Sequence, residues 1–214
     1  MEATFLNRDY SQVMRRVVLA LVAGVVVASL VGTAAAAERY KRHTVRGQGV
    51  SLAVPASWVA VDARLPAAEI ARLSRNNPKL APYLGQLSGP NSAAKFLALD
   101  PAVQGGFATN ANVVVAPIPS VTFDVYRSAI VNEIKSIVGS AKVDHRPVTI
   151  AGVRGVRLSY PFRITVGRTY RVATLQYAFP RPGKSVVVTY TTLPRLKSRY
   201  APTFARSAAS VRFS

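Results

Sequence analysis

Apolar and polar positions divide this chain into one unbroken apolar run and a longer stretch of short, alternating segments. The run is residues 17–37 (VVLALVAGVVVASLVGTAAAA), with Arg15 and Arg16 directly before it. Beyond it, residues 49–54 (GVSLAV) read as a strand stopped by Pro55, resumed at 58–61 with a buried Trp58. Pro66 at a helix N1 position, with Glu69 in the first turn, predicts a helix to about Leu73, ended by Asn76-Asn77-Pro78. A second short helix is expected over 80–87, before the loop Ser88-Gly89-Pro90-Asn91. Residues 95–100 (KFLALD) and 111–118 (ANVVVAPI) read as strands, the second so apolar that both of its faces must be covered.

The clearest helix is 123–138. Phe123, Tyr126, Ile130, Ile134 and Ile137 follow one another at spacings of 3, 4, 4 and 3, which makes a single apolar face. Ser120 or Thr122 can cap it and Gly139 ends it. Four strand-like segments follow, separated by turns at Ala151-Gly152, Val166-Gly167-Arg168 and Arg181-Pro182-Gly183-Lys184. Leu196, Tyr200, Phe204 and Ala208 line a terminal helix, and 211–213 predict a last edge strand. The order predicts an α+β fold, a mostly antiparallel β-sheet covered by helices.

The apolar run reads as an export signal or an uncleaved membrane anchor. Its Arg pair, apolar stretch and small-residue end fit a secretory signal cut between Ala37 and Glu38. Its 21 residues are also enough to span a bilayer. Arg39, Lys41, Arg42 and Arg46 follow closely, and they oppose the positive-inside preference of an anchor whose domain lies outside. Either way the expectation is an extracytoplasmic protein, secreted or held in the cell envelope. Residues 38–47 are polar and basic and read as a tether; 48–214 then form a single domain with a helical insertion at 63–92.

The chain has 214 residues and no cysteine. A domain of this size needs no disulfide staples, and without cysteine a bacterial lipoprotein anchor is excluded. The formal net charge is +19, of which residues 1–37 hold +1, so the exported part carries +18. Such a field attracts polyanions: anionic lipid headgroups, cell-wall polymers or nucleic acid. The alternative reading is compositional: a GC-rich genome that favours Arg, Ala and Val would give the same balance. Export disfavours nucleic acid and leaves anionic lipid or wall polymer, with an envelope protein as a further partner class. The candidate anion contacts are Arg163, Arg168 and Arg171 around one turn, and Arg181 and Lys184 at the next. Tyr160, Tyr170 and Tyr177 lie among them; they can stack on a ligand, or can be cross-strand partners with the arginines on the solvated face.

Residues 49–62 (GVSLAVPASWVAVD) resemble the strand-Pro-x-x-Trp opening of the PsbP/Mog1-like family, which includes secreted actinobacterial envelope proteins of the LpqN type. KFLALD, ANVVVAPI, FDVYRSAIVNEIKSI, GVRGVRLSYPF and YAPTFARSAASVRF continue the likeness across residues 48–214. The resemblance implies an α/β/α sandwich and a non-enzymatic binding or assembly role, and supplies no catalytic residue. Two features depart from it: the helical insertion, and the absence of the lipidated cysteine usual in LpqN-type proteins.

Catalytic constellations find little support. His43 and His145 are the chain's two histidines, short of a four-ligand zinc site. Glu38, Asp62, Glu69, Asp100, Asp124, Glu133 and Asp144 are scattered, without the spacing of a calcium loop. A Ser-His-Asp set would have to use His145, whose neighbour Asp144 points to the opposite face of a strand. There is no G-x-S-x-G, Walker or G-x-G-x-x-G motif. The expectation is an envelope binding protein that uses no metal or cofactor. An extracytoplasmic hydrolase with an unrecognised site and a purely structural interaction protein stand as alternatives.

Overall fold

The computed structural model describes residues 38–62, 65–87, 93–166 and 168–214, with the side chains of 85–87, 165, 166 and 168 excepted. Residues 1–37, including the apolar run 17–37, and the loop 88–92 therefore lie outside the described residues. No helix among the described residues is long and apolar enough to cross a membrane.

The seven-stranded sheet holds β3 (Val59–Asp62), β4 (Ala94–Leu99), β5 (Asn110–Pro117), β6 (Asp144–Ile150), β7 (Val153–Val166), β8 (Arg168–Arg181) and β9 (Lys184–Thr192). Its spatial order is β3-β4-β5-β9-β8-β7-β6, antiparallel at every step. A small sheet of β1 (Tyr40–Val45), β2 (Val50–Pro55) and β10 (Arg212–Phe213) has β2 at its centre. The helices are α1 (Ala67–Asn76), α2 (Ala81–Leu87), α3 (Phe123–Val138) and α4 (Lys197–Ala209). This is the predicted α+β architecture.

Three layers result. One face of the large sheet packs α3 through Tyr126, Ile130 and Ile134 onto Val114, Val156, Leu158, Ala178 and Val187. On the same face Ile70, Leu80 and Leu84 of the α1–α2 region cover Val61, Leu97 and Leu99. The other face buries Phe179, Val186, Val188 and Tyr190 beneath α4 and the small sheet, through Phe204, Ala208, Leu52 and Val54. The helix α3 occupies its predicted span because its ends are specified: the Thr122 hydroxyl accepts from the Val125 N–H, and Gly139 takes a φ of 62° just past the last turn. Trp58 follows the Pro55 stop as expected; it is buried and meets Tyr200 edge-on at 6.5 Å.

One expectation is corrected. Residues 40–45 are not a tether but an edge strand, in register with β2 from Tyr40↔Pro55 to Val45↔Val50. Only Val45 of β1 is buried, so no apolar alternation marked the strand. Backbone pairing to β2 needs no apolar side chains. Side chains fasten the segment to the domain as well: the Arg42 guanidinium donates to Ser51 Oγ and to the Ser210 carbonyl, and Arg206 of α4 lies 4.2 Å above the Tyr40 ring.

The same strand carries His43, half-buried with its ring 5.4 Å from that of Phe96. Burial first, and the charge of Lys41 second, hold its pKa below the ordinary histidine value. The unfolded chain therefore binds the proton more readily than the folded one. Stability from this group is complete above the unfolded value of about 6.5 and is lost as pH falls toward the lowered folded value. Urea midpoints measured from pH 7.5 to pH 5 are expected to fall more steeply for the native protein than for His43→Gln. Equal slopes would sink the assignment.

Candidate anion-binding groove

The strands β7 and β8 outrun their neighbours. They pair with each other from Val156↔Ala178 to Val166↔Arg168. The strand β6, however, covers β7 only up to Ser159, and β9 covers β8 only from Ala173. Residues 160–166 and 168–172 thus project as a two-stranded ribbon with free edges. Alternation sorts its side chains: Tyr160, Ile164, Tyr170 and Val172 are buried on one face, while Arg163 and Arg171 are exposed on the other. The buried face anchors the ribbon, since the Tyr170 hydroxyl donates to the Gly106 carbonyl at 2.9 Å and its ring meets Phe107.

Arg163 and Arg171 are direct cross-strand partners. Residues so placed have Cβ atoms about 5 Å apart, and like charges there repel. Among the described residues the ion pairs join Arg72 to Glu69, Arg127 to Asp124 and Lys142 to Asp144, so neither arginine has a carboxylate within reach. Arg146 and Arg157 form a second like-charged pair on the same sheet face. Uncompensated pairs of this kind cost little in water. They become favourable when an anion sits between them, because two guanidinium forks can each donate twice to a phosphate or carboxylate.

The free edge of β7 borders a groove of about 440 Å³. Ile137, Val138 and Ala141, at and just beyond the end of α3, form one wall; Pro161 and Phe162 form the other, and Arg163 and Arg171 stand at the rim. A second depression of about 330 Å³ shares Pro161 and Arg171 and adds Lys142, Asp144, Pro194 and Lys197. The end of α3 brings roughly half a negative charge to the groove, less than the two full positive charges facing it. The combination is an apolar slot with a cationic rim.

The five basic candidates separate. Arg163 and Arg171 come together. Arg168 opens β8 beside them, but its side chain lies outside the described residues, as does Gly167 of the turn. Arg181 and Lys184 sit at the other end of β8, roughly 33 Å along the strand from Arg171. There they hold the fold together: the Arg181 guanidinium lies 5.2 Å above the Phe213 ring, and Lys184 Nζ donates to the Gln48 carbonyl at 2.7 Å. Tyr160, Tyr170 and Tyr177 are all buried, so none is a stacking platform. His145 is exposed on β6, and Asp144 beside it pairs with Lys142. No three His, Asp or Glu side chains gather as a metal site among the described residues. Sequence reasoning assigned Ile137 to the core face of α3 and passed over Val138 and Ala141. The one available signal was Pro161: a proline inside an alternating strand marks a free edge.

No protein-family model matches the chain, and no curated protein matches it. Among solved structures, LpqN of Mycobacterium tuberculosis, described as involved in cell envelope biogenesis, is 12% identical with a TM-score of 0.50. That match covers 84% of this chain and 92% of LpqN. The cyanobacterial PsbP protein CyanoP of Synechocystis is 18% identical with a TM-score of 0.48, over 87% of this chain and 98% of its own. The chain thus shares the fold of the LpqN structure at 12% sequence identity.

Proposed function

We propose that this protein is an exported, non-catalytic accessory protein of the cell envelope that binds an anionic amphiphile in the groove beside Arg163 and Arg171. The observation that carries this reading is the apolar slot with an unneutralised arginine pair at its rim. An acyl or isoprenoid chain lies against Ile137, Val138 and Phe162, and a phosphate or carboxylate head group bridges the two guanidinium groups. The signal-like residues 17–37 support an extracytoplasmic place of work, and the envelope role in the LpqN description fits it. The apolar walls favour a lipid over a wall polymer, which offers charge without a tail.

Flotation of residues 38–214 with vesicles tests the proposal; this piece contains every core cluster described above. It is expected to float with phosphatidylglycerol vesicles and to stay behind with phosphatidylcholine vesicles. Raising salt to about 0.5 M, where screening shortens to roughly 4 Å, weakens the association without abolishing it, because the tail contact remains. Equal flotation with both lipids, or preferential sedimentation with wall fragments, overturns the lipid reading.

A further inference from the structure

The arginine groove does not end at its rim. The strand β6 stops at the pair Asp144↔Ser159, so the outer edge of β7 is free at Pro161, which has no N–H to offer a partner strand. Pro161 and Arg171 line the groove and also line the second depression, of about 330 Å³. Arg171 therefore borders two adjoining spaces.

The two spaces differ in kind. The groove is walled by Ile137, Val138, Ala141 and Phe162, and its charged lining residues are the arginine pair. The depression has the small Ala173 directly across from Pro161, and it adds Lys142, Asp144 and Lys197. Lys142 Nζ holds the Asp144 carboxylate at 3.1 Å. Lys197 is exposed and joins none of the ion pairs among the described residues. It is the first residue of α4, so it stands at the positive end of a helix whose first turn holds no acidic residue.

Charge and spacing together say what fits. Arg163, Arg171, Lys142 and Lys197 face the single carboxylate of Asp144 across the joined spaces, a net of +3. The half charge at the end of α3 offsets only a small part of it. Ala173 lies two residues from Arg171, about 7 Å along β8. A lone phosphate, even a monoester at about −2, meets the arginine pair and leaves the lysine side unanswered. A diphosphate adds one more charge, for roughly −3, and spreads it over two linked groups. An apolar chain in the groove fixes the direction. The inner phosphate then falls at Arg163 and Arg171, and the outer one at Arg171 and Lys197.

We propose that the ligand of this site is a lipid ending in a diphosphate, whose outer phosphate occupies the depression beside Lys197. The inference rests on the groove reading above and narrows its ligand class. Isothermal titration of the full chain with farnesyl diphosphate, farnesyl monophosphate and inorganic diphosphate tests it. Farnesyl diphosphate is expected to bind at least tenfold tighter than the monophosphate, the worth of a charge-assisted hydrogen bond at the outer phosphate. Inorganic diphosphate, which lacks the tail, is expected to bind at least tenfold weaker than farnesyl diphosphate. Lys197→Gln is expected to cut the ratio between the two farnesyl esters to below threefold. Equal affinities for the two esters, or a ratio that Lys197→Gln leaves unchanged, overturn this inference and leave the groove reading standing. Binding of neither ester overturns both. Inorganic diphosphate binding as tightly as farnesyl diphosphate also overturns both, since the apolar slot then contributes nothing.

Discussion

Reversing both rim charges, Arg163→Glu with Arg171→Glu, is expected to weaken binding to phosphatidylglycerol vesicles by on the order of 10³-fold. Each basic residue at an anionic surface contributes about 1 kcal/mol, and reversal changes four unit charges, hence about 4 kcal/mol. The single variants separate binding from folding. Arg163→Glu alone turns a repulsive cross-strand pair into an attractive one with Arg171. Its melting temperature should therefore hold or rise slightly while vesicle affinity falls at least tenfold. A residue with a merely structural role would move both readouts the same way. If affinity is unchanged in the double variant at low salt, the groove is not the anion site. Arg181→Glu provides the contrast: it disturbs a contact with Phe213 about 33 Å away along β8 and is expected to affect stability more than binding.

Phe179→Ala is expected to be the most damaging single core change, at about 3–5 kcal/mol. The ring is fully buried between the large sheet and the C-terminal strand, edge-on to Phe213 at 5.1 Å. Losing it opens a cavity and loosens the hold on β10. For a domain of this length that corresponds to a fall in Tm of roughly 10 °C or more. The same ring explains Gly155. A Cβ there would stand 2.4 Å from Phe179 Cδ1 and 2.7 Å from the Ala178 carbonyl oxygen, so Gly155→Ala forces the strands apart. In the Phe179→Ala background the ring clash is gone and the carbonyl clash remains. Gly155→Ala should then cost measurably less than it does alone, a coupling that a double-mutant cycle in urea reads directly. Additive losses would show that the ring is not what excludes a side chain at Gly155.

Much of the architecture was legible because it is encoded locally. The helix α3 follows from apolar spacing between Thr122 and Gly139. The meander from β6 to β9 follows from alternation and from turns that only glycine-containing pairs make cheaply, as at Gly152 and Gly183. The strand β1 was illegible because its pairing is made by backbone groups and its one buried residue, Val45, sets no pattern. Asn112 and Thr189 were equally silent: a polar residue inside a strand looks the same whether it faces solvent or the buried interior.

The candidate site shows the same division. That the chain beyond residue 37 is strongly basic, short of metal ligands and free of cysteine was fixed by composition, which no folding event alters. Which arginines meet was not. Arg163 and Arg171 sit eight positions apart and become neighbours through the β7–β8 register, whereas Arg181 and Lys184 become neighbours at a turn and are taken up by Phe213 and Gln48. Apolar periodicity reports which face of an element is buried, because each side chain answers to water independently. It says nothing of where neighbouring strands stop. The free ribbon and the groove at its edge arise from those unequal strand lengths and from pairings between distant segments, so only the assembled tertiary structure decided them.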